Sequence, residues 1–147
     1  MQELKFIKLE EKAITPSYGS KCAAGADLYA LLGEEKTVIK AGQSKLIHTG
    51  IALQIPDGLV GLIYARSGIA TKRGLAPANK VGVIDSDYRG EIMVCLHNHS
   101  DCDQYIDEGE RIAQIVFAPY VAVDFCEVEA LDDTDRGAGG FGSTGKA

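Results

Sequence analysis

Asn79, Asp85, Asp87, Tyr88 and Arg89 lie within one short stretch, NKVGVIDSDYRG (residues 79–90). An amide that both donates and accepts suits a pyrimidine edge. A carboxylate can act as a general base, and an aromatic ring can stack on a sugar or base. Taken alone, the same stretch reads equally well as a polar loop tip. Four other stretches carry similar potential. ARSG (65–68) sets a guanidinium and a hydroxyl before a glycine, which suits an anion, although four residues are a weak signal. AAGADLYA (23–30) isolates one carboxylate, Asp27, which by itself reads as a turn acid. GERIAQI (109–115) places Gln114 in an apolar run, where a polar side chain needs a protein or ligand partner. Arg111 beside it reads as structural, paired with a carboxylate. RGAGGFGSTG (136–145) joins Arg136, two hydroxyls and glycine-exposed backbone N–H groups, a donor set suited to phosphate. Phe141 within it is apolar for a plain linker.

Three tempting motifs fail on chemistry. Gly140, Gly145 and Lys146 fit G-x-x-x-x-G-K, but Ala147 has no hydroxyl for Mg²⁺ and no helix follows to receive phosphate. Asp85, Asp87 and Gly90 begin like a calcium loop. Arg89 and Leu96 then stand where ligands are required, so a cation would lack its main contacts. His97 and His99 share a strand face, yet zinc needs further ligands, and a pair of exposed polar residues at a strand end is the simpler reading.

The elements that must position these residues are short strands. Ile47, Thr49, Ile51, Leu53 and Ile55 alternate with His48, Gly50, Ala52 and Gln54, and Pro56-Asp57-Gly58 closes the run as a turn. LKFIKLEEKAI contains a further strand, and LVGLIYA is another. VGVI and EIMVCLHN flank DSDYRG in a hairpin pattern. IAQIVFAPYVAVDFCEVEAL supplies one or two strands, broken at Pro119. No segment sustains helical periodicity over twelve residues, and residues 22–32, the best candidate, are interrupted by Gly25. The expectation is an all-β barrel or sandwich whose exposed edges favour oligomerisation.

Composition sets the outer bounds. With 147 residues, 46% hydrophobic and 24% charged, the chain reads as one soluble globular domain. No apolar run approaches a membrane span, and the N-terminus lacks a signal-peptide apolar region, so a cytoplasmic location is expected. Cys22, Cys95, Cys102 and Cys126 form no CxxC pair and read as free thiols in a reducing compartment. A net charge of −6 opposes broad nucleic-acid binding but leaves room for a small anion held by local cations.

AGADL, RSG, GVIDSDYRGE, GERIAQI and RGAGGFGSTG occur in that order across residues 23–145. The set resembles the five motifs of the trimeric dUTPase family and covers nearly the whole chain. The resemblance implies a jelly-roll β-subunit of residues 1–135, followed by a flexible Gly-rich lid over residues 136–147. It also implies a homotrimer with active sites shared between subunits. The implied reaction is Mg²⁺-assisted hydrolysis of dUTP to dUMP and pyrophosphate, which keeps uracil out of DNA and supplies dUMP for dTMP synthesis. In that scheme Asp85 activates water, and Arg136 reaches the γ-phosphate. Tyr88 packs on the deoxyribose, leaving no room for a 2′-hydroxyl. Asn79, Val83, Ile84 and Met93 form the uracil pocket. Arg66, Ser67, Gly68 and Gln114 face the phosphates, and Asp27 approaches the metal through water. Phe141 covers the uracil, while Gly142, Ser143 and Thr144 donate to phosphate. Ala65 departs from the family, in which many relatives carry proline before RSG, so the loop loses some pre-organisation.

Ordering about ten tail residues costs on the order of 10 kcal/mol of backbone entropy. An empty tail should therefore stay mobile and close only over nucleotide, with Arg136 stabilising charge in the closed state. A dCTP deaminase or bifunctional deaminase–dUTPase of the same superfamily, and a non-catalytic binding protein on this scaffold, are the competing readings. DSDYRG with Asp85 and the FGSTG tail favour phosphohydrolysis over the first, and Asp85, Arg136 and Phe141 argue against the second.

Overall fold

The computed structural model describes residues 3–140. In chain order its strands are β1 (Lys5–Lys8), β2 (Ser17–Tyr18), β3 (Ala26–Tyr29), β4 (Lys36–Ile39), β5 (Ser44–Gln54) and β6 (Leu59–Tyr64). These are followed by helix α1 (Ser67–Arg73), then β7 (Leu75–Pro77), β8 (Gly82–Ile84), β9 (Glu91–Asn98), β10 (Gln104–Asp107) and β11 (Arg111–Pro119). The strands form three sheets, ordered β1-β5-β9-β7, β2-β3-β11-β6-β8 and β10-β4. Every pairing is antiparallel. This predominantly β, jelly-roll-like architecture agrees with the alternating pattern of the sequence.

Alternation builds the core. On β9, Ile92, Val94, Leu96 and Asn98 are buried, whereas Glu91, Met93, Cys95 and His97 are half-exposed. From the other sheet Leu28, Ile112 and Ile115 pack into the same cluster with Ile47, Ile51 and Ile106. Each such side chain contributes about 1.5–3 kcal/mol through apolar surface removed from water. Asn98 is the buried polar exception. Its amide donates to the Ile39 and Cys102 carbonyls at 2.9 and 2.8 Å, and its oxygen accepts from Ser100, which satisfies it.

Two details differ from the sequence expectation. The ARSG stretch opens α1, whose seven residues are too few to show an apolar period and bury only Ile69. The helix ends at Gly74, φ 68°, whose N–H bonds back to the Ala70 carbonyl at 3.1 Å, a glycine C-cap. Secondly, β8 and β9 are not hairpin partners. β8 pairs with β6, and β9 pairs with β5 and β7, so DSDYRG carries the chain from one sheet to the other. Of the one or two strands expected after residue 111, one forms and it ends at Pro119 as expected, while residues 120–131 hold no strand. The four cysteines are free, as expected, with Cys95 half-buried and the others exposed.

A bulge interrupts β5 between His48 and Ala52. Gly50 sits there at φ 67°, and an added Cβ would come 2.6 Å from Leu31 Cδ2 and 2.7 Å from the Ala13 Cβ. Its carbonyl accepts the Leu9 N–H at 2.8 Å, while the His48 carbonyl accepts that of Leu31 at 2.8 Å. Backbone sign and lack of space therefore both demand glycine. Gly50→Ala is expected to lower stability by roughly 1–3 kcal/mol, read as an earlier denaturant midpoint. An unchanged midpoint would show that the bulge can relax.

Candidate active site

Two clusters gather the residues singled out by the sequence. The first lies where β3, β11 and β6 run side by side. Gln114 on β11 is the register partner of Asp27 on β3 and of Tyr64 on β6. Directly paired residues share a face, so Asp27 and Gln114 point the same way beside the end of β6. There the chain turns into α1, presenting Arg66, Ser67 and Gly68. These residues line a pocket of about 210 Å³ together with Gly19, Ala23, Gly25, Asp27, Arg111 and Gln114.

Asp27 is the charged centre of that pocket. One carboxylate oxygen accepts Arg66 Nε at 2.7 Å, and the other accepts an Arg111 guanidinium N–H at 3.3 Å. The Asp27 side chain is only 11% exposed and that of Arg111 is 52% exposed. The first pair is therefore the better shielded, and the second projects a cation toward solvent. Arg111 has the carboxylate partner expected for it, but it also lines the pocket, which the sequence reading missed. Its proximity to Gln114 within GERIAQI was the available signal.

Gln114 has a protein partner. Its Nε2 donates to the Ala65 carbonyl at 2.9 Å, tying β11 to the residue that replaces the family's proline. Its Oε1 lies so close to Gly25 that any side chain there would collide with it. Gly25, which interrupts the helical pattern of residues 22–32, thus provides the space that the glutamine occupies. Arg73, at the other end of α1, fixes the helix by bonding to Glu110 and the Tyr105 carbonyl. Arg66 is the N-cap residue and supplies no side-chain cap, so the first-turn N–H groups keep their donor capacity.

The second cluster is the crossing between sheets. β8 is an edge strand on which Val83 is 61% exposed. Asn79 lies against its start: its Nδ2 would be 3.5 Å from a Cβ at Gly82. Asn79 is followed by Lys80, which adopts φ 67°, an uncommon conformation for a residue with a side chain. Asp85 is exposed directly after Ile84, and its carbonyl accepts the Tyr88 N–H at 3.2 Å, closing a tight turn. The Arg89 guanidinium braces that turn by donating to the Ser86 and Tyr88 carbonyls, so it is structural here. The Tyr88 ring lies over Gly90, where a Cβ would come 2.6 Å from Cζ, and its hydroxyl donates to the Glu91 carbonyl at 3.0 Å. Met93 is half-exposed on β9.

Glu91 is a second residue the sequence reading passed over. Its carboxylate binds His48 Nδ1 at 2.8 Å and accepts the N–H groups of Gly50 and Thr49 at 2.7 and 3.1 Å. Partial burial pushes its pKa up. The hydrogen bonds from His48, Gly50 and Thr49 and the His48 charge outweigh that effect, holding the carboxyl below its ordinary value.

None of residues 79–93 lines the Asp27 pocket, so the two clusters do not form one cleft within the subunit. The Arg136 guanidinium donates to the Gly139 carbonyl at 2.9 Å, within its own turn. Phe141, Gly142, Ser143 and Thr144, and the end of the Walker-like stretch, lie outside the described residues. The His97 and His99 rings meet edge-on with centroids 4.4 Å apart. Among the described residues no group of three His, Cys, Asp or Glu side chains could hold a metal ion directly.

The same arrangement of strands and motifs recurs in known proteins. The dUTPase of Staphylococcus bacteriophage 80alpha, solved with dUPNHPP, superposes with a TM-score of 0.89 at 28% identity, covering 99% of this chain and 100% of that one. A mutant dUTPase from phage phi11 of S. aureus, in which a structural Mg(II) ion is coordinated, gives 0.80 at 25% identity over 90% of this chain and 100% of that one. The deoxyuridine 5'-triphosphate nucleotidohydrolase of Nautilia profundicola is 52% identical over 144 residues, spanning 98% of this chain and 99% of the relative. That of Desulfitobacterium hafniense is 46% identical over 144 residues, spanning 97% and 95%. The dUTPase family model matches residues 11–145, thereby taking in both clusters and the C-terminal motif, and the chain belongs to this family of enzymes.

Proposed function

We propose that this chain hydrolyses dUTP to dUMP and pyrophosphate by attack of water on the α-phosphorus. The observation that carries the reading is the division of chemistry between the two clusters. One exposes a carboxylate between an apolar strand edge and an aromatic ring; the other gathers two guanidinium groups, a hydroxyl and an amide. A nucleoside triphosphate has the same two parts. The relatives named for this substrate, and the phage enzyme solved with dUPNHPP, support the choice of nucleotide.

In the proposed mechanism Asp85 accepts a proton from water as the new O–P bond forms in line with the departing pyrophosphate oxygen. Arg66, Ser67, Gly68 and Gln114 hold the phosphates, with Arg111 adding charge and Asp27 keeping both arginines aimed. Arg136 approaches the γ-phosphate from the C-terminal segment 136–147, which acts as a separate lid carrying Phe141, Gly142, Ser143 and Thr144. Asn79 and the backbone near Val83, Ile84 and Met93 read uracil, and the fit of that edge rejects a 5-methyl group. Asp27 would approach the cation only through water, since both its oxygens already accept guanidinium bonds. Bound Mg²⁺ would neutralise charge on the triphosphate oxygens.

We further infer a homotrimer with sites shared between subunits. The two clusters are separate within one subunit, which supports completion by a neighbour. Residues 120–131 also expose Val121, Val123, Phe125, Val128 and Leu131, with Phe125 98% exposed. A groove of about 900 Å³ on the same subunit is lined by apolar residues including Leu4, Phe6, Leu59 and Phe117. Uncovered apolar surface of this kind favours burial between copies.

With Mg²⁺ present, pyrophosphate release from dUTP is expected to exceed that from dTTP, dCTP and UTP, and Asp85→Asn is expected to lower it by about 100-fold or more. Equal inactivity of the intact chain and the variant would favour a non-catalytic binding protein. Appreciable ammonia from dCTP would favour deamination. Deleting residues 136–147 is expected to preserve the trimer by light scattering while reducing kcat by about 100-fold or more. Unchanged turnover would refute the lid.

A further inference from the structure

Glu91 joins two features that lie far apart in sequence. Its carboxylate engages three consecutive residues of the β5 bulge: His48 through the ring, and Thr49 and Gly50 through their N–H groups. Its carbonyl accepts the hydroxyl of Tyr88. The bulge itself has little freedom. Gly50 is held at φ 67° against Ala13 and Leu31, its carbonyl is bonded to Leu9, and the Thr49 hydroxyl donates to the Ile92 carbonyl at 2.6 Å. Tyr88, by contrast, is 41% exposed and lies on Gly90, which offers no side chain to hold it. The hydroxyl bond to Glu91 is therefore the link that sets how far the ring leans over the loop.

We propose that Glu91 is a positioning residue for substrate selection: by clamping the start of β9 to the β5 bulge, it sets the depth of Tyr88 and so the exclusion of a 2′-hydroxyl. The inference rests on the reading of Tyr88 as the ring beside the sugar. Three bonds to one carboxylate, all charge-assisted on the acceptor side, are stronger than neutral bonds and fix position as well as distance. Contact energies fall steeply with separation, and a radial gap of about 0.5–1 Å already forfeits a quarter to a half of the attractive well. A comparable retreat of the ring would admit an oxygen atom beside C2′. Loss of the clamp should thus affect UTP and dUTP unequally, which general destabilisation cannot do.

The test is the ratio of kcat/KM for dUTP to that for UTP, measured by pyrophosphate release on the full chain. This ratio is independent of the fraction of enzyme that is folded. Glu91→Ala is expected to lower it by about tenfold or more, while Glu91→Gln, which can still accept both backbone N–H bonds, should stay within about threefold of the parent. Tyr88→Phe removes the other end of the link, so its effect and that of Glu91→Ala should be less than additive in the double variant. Should Glu91→Ala fail to fold, Glu91→Asp, one methylene too short to reach both N–H groups, is expected to lower the ratio in its place. A parental ratio in folded Glu91→Ala, or in Glu91→Asp where the alanine variant does not fold, overturns the proposal. Tyr88→Ala separates the two failures. If it leaves the ratio unchanged, the sugar-facing role of Tyr88 falls and this inference with it. If it lowers the ratio while the Glu91 variants do not, only the role of Glu91 falls.

Discussion

Asp27 holds together the cluster at the start of α1, the proposed phosphate site. Two guanidinium groups, from Arg66 and Arg111, would repel each other across the pocket, and a carboxylate with one contact to each turns that repulsion into a bridge. The pairing also leaves a local excess of one positive charge, by the count of two arginines and one aspartate. That excess stands out in a chain of net charge −6. Desolvating a carboxylate that is 11% exposed costs free energy, and the attraction to two partners offsets it only if both are correctly placed. Three strands and a helix start are needed for that placement. β3 brings Asp27, β11 brings Arg111 and Gln114, and the end of β6 turns Arg66 into the N-cap of α1. The bond from Gln114 to the Ala65 carbonyl then supplies, through a side chain, rigidity that a proline would supply through its ring.

The second cluster, the proposed nucleoside site, depends on a different constraint, the passage of the chain between sheets. Ile84 ends in one sheet and Glu91 begins in the other, so residues 85–90 cannot be held by ladder hydrogen bonds. The loop is instead braced from within by Arg89 and the Asp85–Tyr88 turn, and from below by Glu91 on the bulge. Placing the proposed general base, Asp85, and an aromatic ring on such a crossing exposes both while anchoring both ends in the core.

Much of this was legible in the sequence because period-two alternation reports a half-buried strand where a partner strand is at hand. Ile47, Thr49 and Ile51 are buried as their spacing predicts, and Pro56-Asp57-Gly58 does separate β5 from β6. Alternation does not report the partner. VGVI and EIMVCLHN carry the pattern of a hairpin, yet each finds its neighbours more than fifteen residues away. The positions of Gly25 and Gly50 show a second limit. A glycine announces freedom, but whether that freedom serves a turn, a bulge or a packed glutamine depends on residues distant in sequence. The five motifs nevertheless hold most residues of both clusters; the carboxylate partner of Arg111 is foreseeable, but its place in the pocket and the hold of Glu91 on the β5 bulge depend on strand register.

Residues 120–131 join these arguments. Val121, Val123 and Phe125 alternate with Ala122 and Asp124, the pattern of a strand, but within the subunit they have no ladder and remain exposed. A strand pattern without a partner leaves both apolar side chains and backbone groups to water, so the free energy implied by its sequence is realised only against another surface. In the proposed trimer that surface belongs to a second copy, and the segment leads directly toward Arg136. Burial of the arm would then carry the C-terminal motif onto a neighbouring subunit, to a site where this chain's two clusters are themselves separate. On that proposal the same unpaired segment would join, on a neighbouring copy, site residues that lie apart within one chain.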